Sequence, residues 1–342
     1  MTKKHQVIFT TERGVRHQQD ALSAAPENLA ITMLRRPDKA SLIAHLSEAE
    51  YLISERVGTI DADIIQSAPQ LKLIQRLGSM THDIDCQSAE ERGIVVCYWP
   101  LDMVIRVAEH VIMQLLAVGK KLREVEAVAL SASPEWNLSK RTDEDTFAYN
   151  WSNRIDVNQL WQRTVGMIGF GEIGVEVSRR LKNWGCTLLY NKRNRLPGNA
   201  EVDLGLIFAE AEEIYQQCDY LINLLPYHPS TDMRINADVF SLMKEGAYLV
   251  SCGSGSVIDE DALAEAVISG KLAGAALDTF EWEPIKADNP LISAAKQGYN
   301  ILLTPHTAAG TPQSKEPAPS RKQDYSNILN HLQGQPLLYQ IV

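Results

Sequence analysis

Two residues of this chain have the types and spacing to move a proton between them. His306 lies in LLTPHTAAG (302–310) and Glu283 in ALDTFEWEP (276–284), each just beyond a short apolar run that reads as a strand. A carboxylate set against an imidazole favours the charged ring and fixes its tautomer. A ring so held can hand a proton to a developing alkoxide. A lone histidine after a strand is more often structural. Two such residues at the tips of parallel strands, where open α/β sheets bind ligands, favour chemistry.

A second group of residues points to a bound dinucleotide. GFGEIG (169–174) supplies Gly169, Gly171 and Gly174 directly after an apolar run and before VEVSRRLKNW, which reads as a helix. In that context the first glycine allows a tight turn and the second lets the backbone approach a pyrophosphate. The third lets helix pack on strand. The pyrophosphate would meet the helix N-terminus. Asn191 follows 22 residues after Gly169, in YNKRNR (190–195). An acid is common at that point in NAD enzymes, where it binds the ribose 2′-hydroxyl. Here the acid is missing, and Lys192, Arg193 and Arg195 follow. Cations pair with a 2′-phosphate that a carboxylate would repel. The expected cofactor is therefore NADP(H) in preference to NAD(H), held in part by Asn191, Lys192 and Arg193.

A third stretch, VSCGSGSVID (250–259), stands out for what it lacks. The apolar run AYLVSC (247–252) ends in Gly253, Ser254, Gly255 and Ser256, and Asp259 then opens an acidic helical segment. This strand–loop–helix turn contains no cation.

The elements that must position these residues follow from hydrophobic patterning. Five short apolar runs in the first hundred residues alternate with helix-like segments: 6–10, 29–34, 51–54, 71–78 and 94–99. Alternation of this kind predicts parallel strands with helical crossovers. Residues 104–122 have apolar side chains at helical spacing and predict one long helix that leaves a first domain for a second. Six further runs (164–169, 187–191, 220–225, 247–252, 274–278 and 301–305) predict a doubly wound dinucleotide fold. Residues 326–334 predict a closing helix. The stretch 131–156 has no clear period but carries Trp136, Phe147, Tyr149 and Trp151. We read it as an arm for a second subunit, because aromatics gather at interfaces. His110 is expected at a hinge between domains, and His82 on a loop.

Composition sets the bounds. The chain has 342 residues, 45% of them hydrophobic, and a formal net charge of −10, which argues against a nucleic-acid partner. No apolar run approaches the length of a membrane span, and the N-terminal apolar stretch is too short for a signal peptide. Five scattered cysteines without a Cys-x-x-Cys pair suggest neither a disulfide framework nor a metal site. The expected compartment is reducing and cytoplasmic.

Taken together, the chain resembles the D-isomer-specific 2-hydroxyacid dehydrogenases, among them phosphoglycerate, glyoxylate/hydroxypyruvate and formate dehydrogenases. The resemblance runs in order through LKLIQRLG, ERGIVV, VAEH, VGMIGFGEIG, LLPYHPSTDMRIN, MKEGAYLVSCGSGSVIDEDAL, GKLAGAALDTFEWEP, LLTPHTAAG and NILNHLQGQP. It implies an α/β fold of two doubly wound parallel-sheet domains. A Rossmann cofactor domain (104–306) is inserted in a discontinuous flavodoxin-like substrate domain (1–103 and 307–342), with the active site in the cleft between them and a homodimer built through an arm near 123–156.

The resemblance also implies roles. His306 matches the proton donor to the substrate carbonyl and Glu283 its partner; a glutamine there would indicate the formate branch. Glu172 and Ile173 match backbone contacts to the pyrophosphate. Leu225, Pro226 and Thr231 match the loop under the adenosine side. Cys252, Gly253 and Ser254 match the segment near the nicotinamide, and Asp278 the acid near its carboxamide. Ser79 and Met80 match the loop that receives the substrate carboxylate.

Two departures are evident. Ser254 stands where the family carries the arginine that grips a 2-oxo acid, and Met80 replaces a glycine in GSMTHDID (78–85). Arg76, Arg106, Lys140, Arg141 and Arg154 are the cations that could compensate. The expected activity is hydride transfer between NADPH and the C2 carbonyl of a small 2-oxo acid or related oxo compound. The alternative is an NAD(P)-binding regulatory protein that has lost turnover with the arginine. No metal is expected.

Overall fold

The five N-terminal apolar runs form parallel strands: β1 (His5–Thr11), β2 (Leu29–Arg35), β3 (Tyr51–Glu55), β4 (Leu73–Leu77) and β5 (Val95–Trp99), paired in the order β2-β1-β3-β4-β5. The computed structural model describes residues 4–55, 58–133, 139–147, 149–310 and 321–342. Contacts divide the chain into two units, 1–105 with 311–342, and 106–310.

The first sheet is buried on both faces, as a parallel sheet requires. Alternate residues of one strand therefore enter different cores. Ile8, Leu52, Ile74 and Val96 join one apolar cluster, while Val7, Phe9, Ile53 and Leu73 join the other. Helix starts are set by aspartates that accept backbone N–H groups: Asp38 from Ser41, Asp61 from Ile64 and Asp85 from Ser88. The closing helix, Ser326–Gln333, ends at Gly334 in the left-handed conformation, which glycine adopts without penalty.

The second unit carries a seven-stranded parallel sheet: β6 (Thr164–Ile168), β7 (Thr187–Asn191), β8 (Leu206–Phe208), β9 (Tyr220–Asn223), β10 (Ala247–Ser251), β11 (Leu272–Leu277) and β12 (Ile301–Leu303). Their order is β12-β11-β10-β9-β6-β7-β8. The strand order reverses between β6 and β9, which is the switch point where such sheets open a crevice at their C-terminal edge. β8 is a correction to the six expected strands. It is three residues long and sits at the sheet edge with Ile207 exposed, so it leaves too short an apolar run to read as a strand.

The long helix is also shorter than expected. It spans Asp102–Gly119, and a second helix, Leu122–Ser131, follows Lys121, which has φ +50°. The units part at 105/106 and 310/311, a little beyond the expected boundaries at 103/104 and 306/307. Asp278 accounts for the second shift, because it accepts the backbone N–H of Thr307 and Ala308 and so ties the turn after His306 to the second unit. In the stretch read as an arm, Phe147, Tyr149 and Ile155 are well exposed. Trp136 and the prolines at 312, 317 and 319 lie outside the described residues.

Candidate active site

β11 and β12 run side by side in parallel, so their C-terminal ends deliver Asp278–Glu283 and Thr304–His306 to the same edge of the sheet. There His306 Nδ1 and Glu283 Oε2 lie 2.6 Å apart. Glu283 Oε1 accepts the Phe280 N–H at 3.1 Å, so one carboxylate oxygen is fixed by its own turn and the other faces the ring. His306 sits at φ +53°, a conformation that costs a residue with a Cβ and persists only where the surroundings impose it.

Asp278 supplies much of that constraint. It is fully buried. One of its oxygens accepts Thr304 Oγ1–H at 2.6 Å and Thr307 N–H at 2.9 Å, and the other accepts Ala308 N–H at 2.8 Å. His110 Nε2 lies 3.0 Å from Thr304 Oγ1, and Gln114 Nε2 donates to the same hydroxyl at 3.3 Å. His110 thus braces the strand that leads to His306. Thr304 and Gln114 were not singled out from the sequence, because a threonine before a proline and a glutamine within a helix carry no local signal of a shared contact.

β10 delivers the turn without a cation. Ser254 N–H donates to Leu225 O at 2.8 Å, and Thr279 Oγ1–H donates to Gly253 O at 2.7 Å. The two glycines beside Ser254 are required by close approach. A Cβ on Gly253 would come within 2.7 Å of Leu225 O, and one on Gly255 within 2.0 Å of the Phe280 carbonyl. Gly255→Ala must therefore push the β10 turn away from the turn that carries Glu283. Overpacking of this kind costs about 2–3 kcal/mol. We expect a fall in Tm of about 4–12 °C for a unit of this size, measured by calorimetry.

Cys252, Gly253, Ser254, Glu283 and His306 line one cavity of about 400 Å³, together with Thr279, Phe280 and Glu281. Among these lining residues the charged groups are two glutamates and the histidine. Burial pushes the Cys252 thiol up, and the thiol donates to Gln114 Oε1 at 3.4 Å, so it is a weak nucleophile.

The glycine turn lies at the switch point. Gly169, at φ +85°, packs so closely that a Cβ would stand 2.5 Å from Leu225 N. Gly171 faces open space, with nothing within 4 Å of a Cβ, whereas a Cβ on Gly174 would meet the Phe170 ring at 2.7 Å. The helix that follows, Glu172–Leu181, has no side-chain cap, so the N–H groups of its first turn, at Glu172 and Ile173, suit an anion. An open cradle over an uncapped helix start fits a dinucleotide pyrophosphate. Thr231 closes the 225–231 loop by donating to Pro226 O at 2.9 Å.

After β7, Asn191 Nδ2 donates to Ala209 O at 3.0 Å. Arg195, the third of the expected cations, pairs with Glu201 at 2.8 Å and lies over the Phe208 ring. Lys192 is half-buried and Arg193 is exposed.

In the first unit, Ser79 is buried and Met80 O accepts from Arg76 Nε at 2.9 Å. Two of the expected compensating cations are corrected here. Arg76 is 4% exposed and also donates to Ser54 Oγ on β3 and to Asp83 Oδ2 on the loop after β4, so its guanidinium is consumed within the first unit. Arg154 is held by Glu124 and Asp156. Arg106 lies beside Gly310, four residues beyond His306. Lys140 and Arg141 are exposed, and His82 lies in the first unit on the loop after β4. Among the described residues no helix is long and apolar enough to cross a membrane, and no cluster of metal-ligating side chains occurs.

Comparison with known proteins agrees with this geometry. A family profile described as D-isomer specific 2-hydroxyacid dehydrogenase, NAD binding domain, matches residues 134–308, just over half the chain. The glyoxylate reductase of Thermococcus onnurineus is 31% identical over 276 residues, covering 80% of this chain and 78% of that protein. The D-3-phosphoglycerate dehydrogenase of Mycobacterium leprae is 28% identical over 300 residues, 88% of this chain. The chain spans about half the length of that relative, 53%. The D-mandelate dehydrogenase of Rhodotorula graminis shares the fold, with a TM-score of 0.54, 22% identity, and coverage of 99% of this chain and 98% of that one. With its doubly wound sheets, its glycine turn at the switch point and its paired His306 and Glu283, the chain belongs to the D-isomer specific 2-hydroxyacid dehydrogenase family.

Proposed function

We propose that the protein is a nicotinamide-dependent oxidoreductase that prefers NADP(H) and acts on the C2 carbonyl of a small 2-oxo acid or related oxo compound. The observation that carries this reading is the 2.6 Å contact between His306 and Glu283 on the wall of a cavity beside the dinucleotide fold. The bound cofactor supplies the hydride. His306 gives a proton to the carbonyl oxygen as charge develops there, and takes it back in the reverse direction. Glu283 holds the ring by Nδ1, which leaves Nε2 to face the substrate. Gly171, Glu172 and Ile173 would hold the pyrophosphate, the loop of Leu225, Pro226 and Thr231 the adenosine side, and Cys252, Gly253 and Asp278 the nicotinamide side. Ser79 and Met80, in the substrate-binding unit, would meet the substrate.

The preference for NADP(H) is carried by the absence of a carboxylate at Asn191 and by the cations that follow it. Charge-assisted hydrogen bonds from such groups contribute about 1.5–3 kcal/mol each. Lys192→Ala with Arg193→Ala removes two such groups and should therefore weaken NADPH binding about 10²–10⁴-fold and change NADH binding by less than about three-fold, because NADH lacks the 2′-phosphate. Titration of both cofactors by fluorescence checks this, and native affinity for NADH equal to that for NADPH overturns the preference. The activity itself is tested by NADPH oxidation against glyoxylate, hydroxypyruvate and bulkier aromatic 2-oxo acids.

A further inference from the structure

One buried carboxylate of the second unit has no part in the proton transfer above. Glu260 stands in the first turn of the helix Glu260–Ile268, where an exposed acid would simply complement the helix dipole. Its residue is 6% exposed, and Asp259 already caps the helix through Ala262 N–H. The Glu260 carboxylate faces elsewhere. Oε1 accepts the Glu281 N–H at 2.9 Å, and Oε2 accepts the side-chain amide of Asn289. Asn289 in turn spends its own oxygen on Leu291 N–H at 2.9 Å, at the start of the helix Pro290–Lys296. Both ends of the segment 281–289 are thus tied to one carboxylate, and Glu283 lies between them.

We propose that Glu260 is a positioning residue that fixes the turn presenting Glu283 to His306. The inference rests on reading Glu283 and His306 as the acid/base pair. Burial pushes the Glu260 carboxyl up, while the hydrogen bonds from Glu281 and Asn289 oppose that shift. A buried acceptor retained against that penalty is consistent with a site that needs two acceptors at one point.

Glutamine cannot replace it. Its single oxygen can serve Glu281 N–H or the Asn289 amide, and its NH₂ then faces the other donor. Asn289 cannot turn over to accept without releasing Leu291 N–H. One tie is lost, and the Glu283 turn loosens. Displacements of about 1 Å at such distances cost up to about 10²-fold in rate.

The test is a double-mutant cycle. Glu260→Gln should lower kcat about 10–100-fold while KM for NADPH stays within about two-fold, because the cofactor cradle lies elsewhere. On a Glu283→Gln background the same change should cost nothing further. Hydrogen exchange at the Phe280 and Glu281 amides should quicken while that of the β10 and β11 amides does not. Asn289→Asp is the second variant. It keeps the cap to Leu291 but sets carboxylate against carboxylate, and it should reproduce the loss in kcat.

A fall in kcat that adds in full to that of Glu283→Gln, or unchanged kcat with unchanged exchange, overturns the positioning role and leaves the acid/base reading intact. Normal turnover by Glu283→Gln alone overturns the acid/base reading, and the positioning role with it.

Discussion

His306→Ala is expected to lower kcat for carbonyl reduction by about 10²–10⁴-fold, the range for removing a general acid. KM for NADPH should hold within about two-fold, since the pyrophosphate cradle at Gly171 stands on a different turn. The structure favours a large effect for two reasons. The ring is held at Nδ1 by a carboxylate 2.6 Å away, and its backbone is held at φ +53° by the Asp278 contacts on Thr307 and Ala308. Glu283 already serves the ring, and the Cys252 thiol is pushed up by burial. Single-turnover hydride transfer, followed by NADPH absorbance, isolates the chemical step. Near-normal turnover in that assay overturns the assignment.

Ser254→Arg is expected to raise kcat/KM for simple 2-oxo acids such as glyoxylate by about 10²–10³-fold, the magnitude associated with one preorganised donor to a developing oxyanion. Ser254 lines the cavity with ordinary backbone angles, φ −75° and ψ 137°, so a longer side chain needs no change in the turn. A guanidinium there could grip the carboxylate with two parallel hydrogen bonds, which a hydroxyl cannot do. It would also offset part of the negative charge that Glu281 and Glu283 place on the cavity wall. A neutral ketone, assayed in parallel, should gain little. Unchanged kcat/KM for glyoxylate would place the carboxylate away from Ser254. Arg76 is no substitute, since its three nitrogens serve Met80, Ser54 and Asp83.

Local residue patterns set the periodic elements and the order of the motifs. Among the described residues, eleven of twelve strands are legible as short apolar runs between helical segments, because both faces of a parallel sheet must be buried. β8 escaped because three edge residues with one side exposed leave no run to see. The helix expected over 104–122 stopped at Gly119 because the chain turns left-handed at Lys121, a choice that apolar spacing does not encode. The glycines at 169, 171 and 174 were readable because each performs a steric task that other residues cannot.

Which polar groups meet depends on how the strands are ordered in space. His306 and Glu283 are 23 residues apart in the chain, and they touch because β11 and β12 are neighbours in the sheet. The same holds for Asp278 with His110 and for Glu260 with Asn289, whose burial no local pattern reveals. Arg195 and Arg76 show the converse. Each reads in the sequence as an available cation, and each pairs with a carboxylate that the fold brings beside it. Residue type and short-range spacing settle backbone geometry and burial, whereas pairing between distant side chains is settled by strand order and by which donors find acceptors once water is excluded.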